Sequence, residues 1–453
     1  MILVVITGIG CTVSDTSLHV LYQGNQHTGG TSPSDSTLYN QGDEVTILGN
    51  SGALVRSGYT FSGWNTEADG TGLSYEAGDT FTIDSEHVTL YAVWTPEVLI
   101  TSVAAGSGYS YILKNDGTLW VTGINGAGQL GDGTNTNRSS AYQIMDEVQA
   151  ISASRYQHAM ILKENGDLYG VGDNSDGQLG LQDTIANINT PQLVKTGIAS
   201  VSCGYYYTMA IDTDGNLWAT GSNGISGVLG NNSQEKQYGF VQIDTDVLTV
   251  SAGNRHTLYA KTDGSLYAMG DSNYGKLGRP YSSSNTYDRV PVRVSGISDV
   301  RAVSAGMNHS LVITNSDELW SFGWQDNGQL VDGHDVDSAI STPTKVLEHV
   351  KYAEAGVDKS MVITTSDELY VVGYNTYGML GDGTATYRQT YITPEKVRTG
   401  VYACSMGEGH SLIIDNDSTV YGAGYNSSGE LGQGTTDSDN HFDFLEISLM
   451  SSP

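Results

Sequence analysis

From residue 99 onward the apolar positions fall into short runs that return in a fixed order. Residues 300–346 show it best. A small-residue apolar run, "VRAVSAG", is followed by a two-residue break and a second run, "HSLVIT". A polar turn leads to a third run, "ELWSFG", in which Leu and an aromatic residue alternate, so they face opposite sides of a strand. A Gly-rich link ending in Leu and a variable loop then lead to a last run, "TPTKV". The order is written seven times, with the aromatic of the third run at Trp120, Tyr169, Trp218, Tyr267, Trp320, Tyr370 and Tyr421. Runs this short, bounded by Gly, Asn and Asp, predict strands. A unit of about 50 residues with four strands is the spacing of a β-propeller blade, whose apolar faces are buried only against neighbouring copies.

Between the second and third runs stand Asp116-Gly117, Asn165-Gly166, Asp214-Gly215 and Asp263-Gly264, which predict hairpin turns with positive φ. The last three copies lack this glycine ("NSDEL", "TSDEL", "NDST"), so a different turn type is expected there. Residues 18–96 follow another pattern: "DEVTIL", "SGYTFSGWNT", "SYEAGDTFTI" and "VTLYAVWT" read as strands of a separate small module, with Trp64 and Trp94 in its core. Residues 1–17 read either as a clipped signal remnant ending near Cys11 or as a leading strand, and the residues before Cys11 suit a lipid-modified cysteine poorly. The domain expectation is therefore 1–17, 18–96 and 97–453.

Composition narrows the function. With 50 acidic and 20 basic residues the net charge is −30, which argues against nucleic acid and anionic membranes as partners. No run reaches the ~18 apolar residues of a spanning helix. Three cysteines make no disulfide framework, and Cys203 and Cys404 fall in the small-residue run as buried residues. The 57 glycines recur at fixed offsets and serve turns.

Several motifs imitate chemistry. "GAGQLG" (126–131) satisfies a dinucleotide fingerprint, but no helix follows it and the same glycines recur in the other copies. "GDSNYGK" (270–276) approaches a phosphate loop, but Leu277 stands where a Ser or Thr must hold magnesium. One slot holds Tyr109, His158, Tyr207, His256, His309, Lys359 and His410. Copies on a ring keep these side chains apart and Lys359 repels a cation, so each histidine is expected to bond to backbone rather than to a metal. No catalytic set, cofactor site or metal site is identified, and the expectation is a protein that is not an enzyme.

The "SAG-x-x-His-Ser/Thr" start, "Asp-Gly-x-Leu-Trp/Tyr" centre and "Gly-x-Asn-x-x-Gly-x-Leu-Gly" end, over about 350 residues, resemble the RCC1 repeat family. The resemblance implies a seven-bladed RCC1-like β-propeller whose ring often closes by pairing strands from both chain ends. "GYTFSGWNTEADGTGLSYEAGDTFTI" (58–83) and "VTLYAVWT" (88–95) resemble the Listeria–Bacteroides (InlB B-type) repeat, which implies a small β-grasp-like module in a secreted or surface bacterial protein. The fold expected is thus all-β: propeller plus N-terminal β-grasp-like domain.

Binding should sit where the copies differ freely. Two surfaces qualify. The first is the short loop before the His slot, with Tyr156, Tyr205, Tyr206, Arg255, Asp358 and Glu408; the second is the long loop of copy four, with Tyr281 and Tyr287. Tyr and Arg are favoured at interfaces. The function expected is non-enzymatic binding of a protein partner, with a glycan as the second partner class, outside the cell or on the bacterial surface. The alternatives are a guanine-nucleotide exchange factor, the role of founding members of the resembled family, and an inhibitor of an extracellular enzyme. Exchange needs an inserted wedge, and the seven copies have similar lengths.

Overall fold

The structure, a computed structural model, describes residues 17–447 apart from 184, 281–285, 335–337, 385–390 and 438, with backbone alone for 391 and 392. Cys11 and Tyr281 lie outside the described residues. The chain divides into two compact units, Met1–Val98 and Leu99–Pro453.

In the first unit, Val20–Gln23 runs parallel to Val88–Pro96, which pairs antiparallel with Tyr59–Asn65, and Ser74–Tyr75 follows. A small ribbon joins Glu44–Thr46 to Thr80–Thr82. Alternation along these strands turns Val20, Val45, Trp64, Ile83 and Leu90 into one core. Trp64 is its centre. Its ring meets Tyr22 and Phe61 at 4.7 and 5.1 Å, and its Nε1 donates to Leu48 O at 2.9 Å, so the indole is buried with its polar atom satisfied. Trp94 stands at the core's edge, its Nε1 donating to Gly24 O.

In the second unit the four predicted runs become four antiparallel strands in sequential order. The first sheet comprises Ile100–Ala105, Tyr109–Lys114, Leu119–Gly123 and Arg138–Met145. Six more sheets repeat this order over 148–195, 198–244, 247–293, 300–347, 350–399 and 401–446. Second strands are buried almost throughout, with only the last residue partly exposed in most copies, because both faces meet neighbouring sheets. Every core is shared by two successive sheets. Leu258 and Leu266 of the fourth sheet pack with Val300 and Val312 of the fifth, and Ile112 and Trp120 of the first pack with Leu412 and Val420 of the seventh. The last sheet thus packs on the first. It does so face to face: each described sheet is contiguous in sequence, and no strand from the other chain end completes one, contrary to the expectation.

The turn expectation also needs correcting. In copies one to four only the glycine has positive φ (78–84°), and Asp116, Asn165, Asp214 and Asp263 do not. Asp317, Asp367 and Ser418 take the same place at 59, 58 and 66°, with the same hydrogen bond three residues back. All seven are one turn, the three-residue kind ending in a left-handed residue. Asp tolerates that conformation well enough to replace glycine.

Candidate functional site

The His slot is a clasp between sheets. His158 Nε2 meets Thr208 Oγ1 of the next sheet at 3.2 Å, and His256, His309 and His410 meet Ser310, Ser360 and Ser110 at 3.0, 2.9 and 2.8 Å. Each hydroxyl spends its proton on a carbonyl of the preceding sheet, as Ser360 does on Gln329 O and Ser110 on Glu430 O. It must then accept from the imidazole, which fixes the Nε2–H tautomer. The partner is a hydroxyl and not the backbone that the sequence suggested. The other slot residues reach backbone instead: Tyr109 to Ser154 O and His158 O, Tyr207 to His256 O, and Lys359 to Gly407 O and Glu408 O. Burial drives the imidazoles toward neutrality, His158 down to about 4 and His309 and His410 to about 3. It brings Lys359 down to about 7. Lys276 of the phosphate-loop look-alike is also buried, ion-paired with Asp271 at 3.0 Å.

The loop before each slot lies beside the residue that follows the third strand. In all seven sheets that residue donates its N–H to the loop, as Trp324 does to Asn308 O and Tyr374 to Asp358 O. The two segments together make one rim. Of the residues expected there, Tyr156, Tyr205 and Tyr206 come together across two sheets, with centroids 4.6–5.2 Å apart. Burial, and after it the neighbouring Tyr156 and Tyr205, push Tyr206 up to about 12. Arg255 and Glu408 are exposed on the rim, and Asp358 is partly buried. Tyr287 opens the outermost strand of the fourth sheet opposite Asp271, not a free loop.

Sequence reasoning missed half of this rim. Tyr274 lies 4.4 Å from Trp324, and Tyr377 lies 5.7 Å from Tyr425, each pair joining neighbouring sheets. Tyr274, Tyr377 and Tyr425 are 39, 42 and 37% exposed, large values for aromatic rings. The available signal was the slot after the third run, which holds Trp324, Tyr374 and Tyr425 in the last three copies.

The first strands line a cavity of about 390 Å³. Their fifth position is Ser in most sheets, and the hydroxyl accepts an N–H from the next sheet, as Ser304 does from Ala355. The sixth sheet departs from this rule with Tyr352 and Glu354. Glu354 Oε1 still accepts from Met406 N at 3.0 Å, and burial raises its pKa. The second sheet carries one extra residue in its loop, Arg155. Its guanidinium crosses the cavity to Ala305 O and Ala355 O and lies 4.0 Å from Glu354. Arg155→Ala is expected to lower the unfolding free energy by about 2 kcal/mol, since two carbonyls lose their donor and a buried carboxylate loses its nearby cation. A urea titration checks this, and an unchanged midpoint would show that the brace carries no load.

A match to the family described as RCC1-like domain covers residues 50–358. The chain belongs to the RCC1-like domain family. Among solved structures, this RCC1-like chain superposes on Prp20p of Saccharomyces cerevisiae with a TM-score of 0.64 at 18% identity, covering 78% of this chain and 87% of that one. It superposes on human WBSCR16 with a TM-score of 0.63 at 19% identity, covering 73 and 94%. These likenesses concern the fold. Two proteins of Evansella cellulosilytica are similar over shorter stretches. One, whose name describes a Gly-rich membrane protein, is 43% identical over 89 residues; the other, named as a membrane protein, is 47% identical over 76. The chain spans only about a tenth of the length of these two relatives. Among the described residues no helix is long and apolar enough to cross a membrane.

Proposed function

We propose that the seven sheets are the blades of a closed seven-bladed propeller that works as a non-enzymatic protein-docking module. The observation that carries this is the rim: seven aromatic side chains from six sheets, grouped in contacts of 4.4–5.7 Å and left partly open to water. Rigid aromatic anchors held at low entropic cost are what interfaces use. The first unit, with its parallel first and last strands and Trp64 core, suits the β-grasp-like, InlB B-type module, and with it a secreted or surface location.

The experiment is capture from bacterial or host surface extract, identified by mass spectrometry, with wild type and a Tyr205→Ala, Tyr206→Ala variant. Capture should fall at least tenfold while the unfolding midpoint stays nearly constant, because both rings are only half-buried. Equal capture by the variant would remove the rim from the reading. A second reading, nucleotide exchange, draws on the likeness to Prp20p, a protein whose structure is titled for its binding to Gsp1p and histones. Accelerated nucleotide release across a panel of small GTPases would favour it.

A further inference from the structure

Several rings away from the rim carry cations of their own. Arg138 lies over Tyr142 at 3.8 Å, Lys195 over Trp218 at 3.7 Å and Arg398 over Tyr421 at 3.9 Å, with Lys114 and Lys351 over Trp120 and Tyr402. Among the described residues, no Lys or Arg lies over Tyr274, Trp324, Tyr377 or Tyr425.

The carboxylates beside these rings are equally unmatched. Asp326 follows Trp324 by two residues, Asp358 stands on the rim loop whose backbone carbonyl accepts the N–H of Tyr374, and Glu408 stands on the loop beside Tyr425. Among the described residues, none of the three has an ion-pair partner. Glu408 bonds to Ser107 at 2.6 Å, and Asp326 accepts from Asn327. Lys359, next to Asp358, turns its ammonium inward to Gly407 O and Glu408 O. Burial, and after it the charge of Asp326, push Asp358 up to about 6. By contrast Asp176, on the same rim near Tyr206, is already ion-paired with Lys236. No three His, Cys, Asp or Glu among the described residues converge as metal ligands, so this excess of negative charge is not arranged for an ion.

We propose that the occupant of this part of the rim is a basic polypeptide segment, whose Lys or Arg side chains stack on Tyr274, Trp324, Tyr377 and Tyr425 and pair with Asp326, Asp358 and Glu408. This rests on the docking role proposed above and names its chemistry. A cation that meets a ring face and a carboxylate at once gains from both, more than from either alone in water. The net charge of −30 steers such a segment toward the protein from a distance, and the rings choose where it stays.

The test uses a fluorescein-labelled nona-arginine peptide and the full chain, followed by anisotropy at physiological salt, where exposed charges more than about 8 Å apart are largely screened. Three double variants are compared: Trp324→Ala with Tyr377→Ala, Asp326→Asn with Asp358→Asn, and Asp116→Asn with Asp214→Asn at exposed turns at the other end of the sheets. Both rim variants should bind at least tenfold more weakly and the turn variant within twofold of wild type. Equal loss in all three would mean general charge attraction and would overturn the proposal. So would a neutral hexasaccharide that binds the rim where the peptide does not. A partner captured through Tyr205 and Tyr206 that the peptide fails to displace would sink the basic-segment proposal and leave the docking role standing. Loss of rim-dependent capture altogether would remove both.

Discussion

Acidification from pH 7 to 5 is expected to weaken the fold of residues 99–447 by a few kcal/mol, with protonation of four buried histidines as the cause. His158, His256, His309 and His410 are fully buried and held neutral, with folded pKa values well below the ordinary 6.5. The unfolded chain takes up these protons near pH 6.5, whereas the folded chain takes up those of His158, His309 and His410 only near 3–4 and that of His256 only well below 6.5. Their contribution is therefore complete above pH 6.5 and is lost as the pH falls toward the folded values. At pH 5 each costs about 2 kcal/mol. Carboxylates with raised pKa act in the opposite sense. Glu430, up to about 7, and Asp358, up to about 6, bind protons first in the folded state and so regain part of the loss, as does Glu354. On these values they return about half. Urea midpoints measured from pH 7.5 to 4.5 check the result. His309→Gln, whose amide can still donate to Ser360, should reduce the slope by about one proton. A flat profile would contradict the neutral clasps.

Gly323→Ala is expected to destabilise the fold strongly. Gly323 ends a third strand at φ +120°, and a Cβ there would lie 2.5 Å from Asn308 O and 2.6 Å from the Cα of His309. Neither atom can retreat. Asn308 O accepts Trp324 N–H at 2.9 Å, and His309 is paired with Gly323 and clasped to Ser360. Strain and collision together should cost more than about 3 kcal/mol. Gly296 is the control: its φ is +86°, but nothing lies within 4 Å of its missing Cβ. Gly296→Ala should cost about 1 kcal/mol, from strain alone. Equal midpoints for the two variants would refute the collision account.

The strands were legible because each copy restates the same alternation, and seven restatements overcome the ambiguity of any one. The errors came where a local signal stood for a spatial one. A missing glycine was read as a new turn, although Asp317 and Asp367 hold the same left-handed φ. The histidines were assigned a backbone partner because their true acceptors, such as Ser360 for His309, lie some 50 residues away in the next sheet. The role of Arg155 is written only in the length of its loop, one residue more than in the other copies, and not in its residue type. Tyr156, Tyr205 and Tyr206 were chosen from one variable loop. The aromatic pairs Tyr274–Trp324 and Tyr377–Tyr425 were not, because they arise only when neighbouring copies are set side by side.

The clasps all point the same way along the chain. His158 reaches ahead to Thr208 and His309 ahead to Ser360, and only at His410 does reaching ahead mean returning to the beginning, to Ser110. The assembly therefore has a sense of rotation, and its final latch waits on the most distant contact in sequence. Losing or gaining a whole unit would leave that latch aimed at the wrong angle, whereas changes in the rim loops leave it untouched.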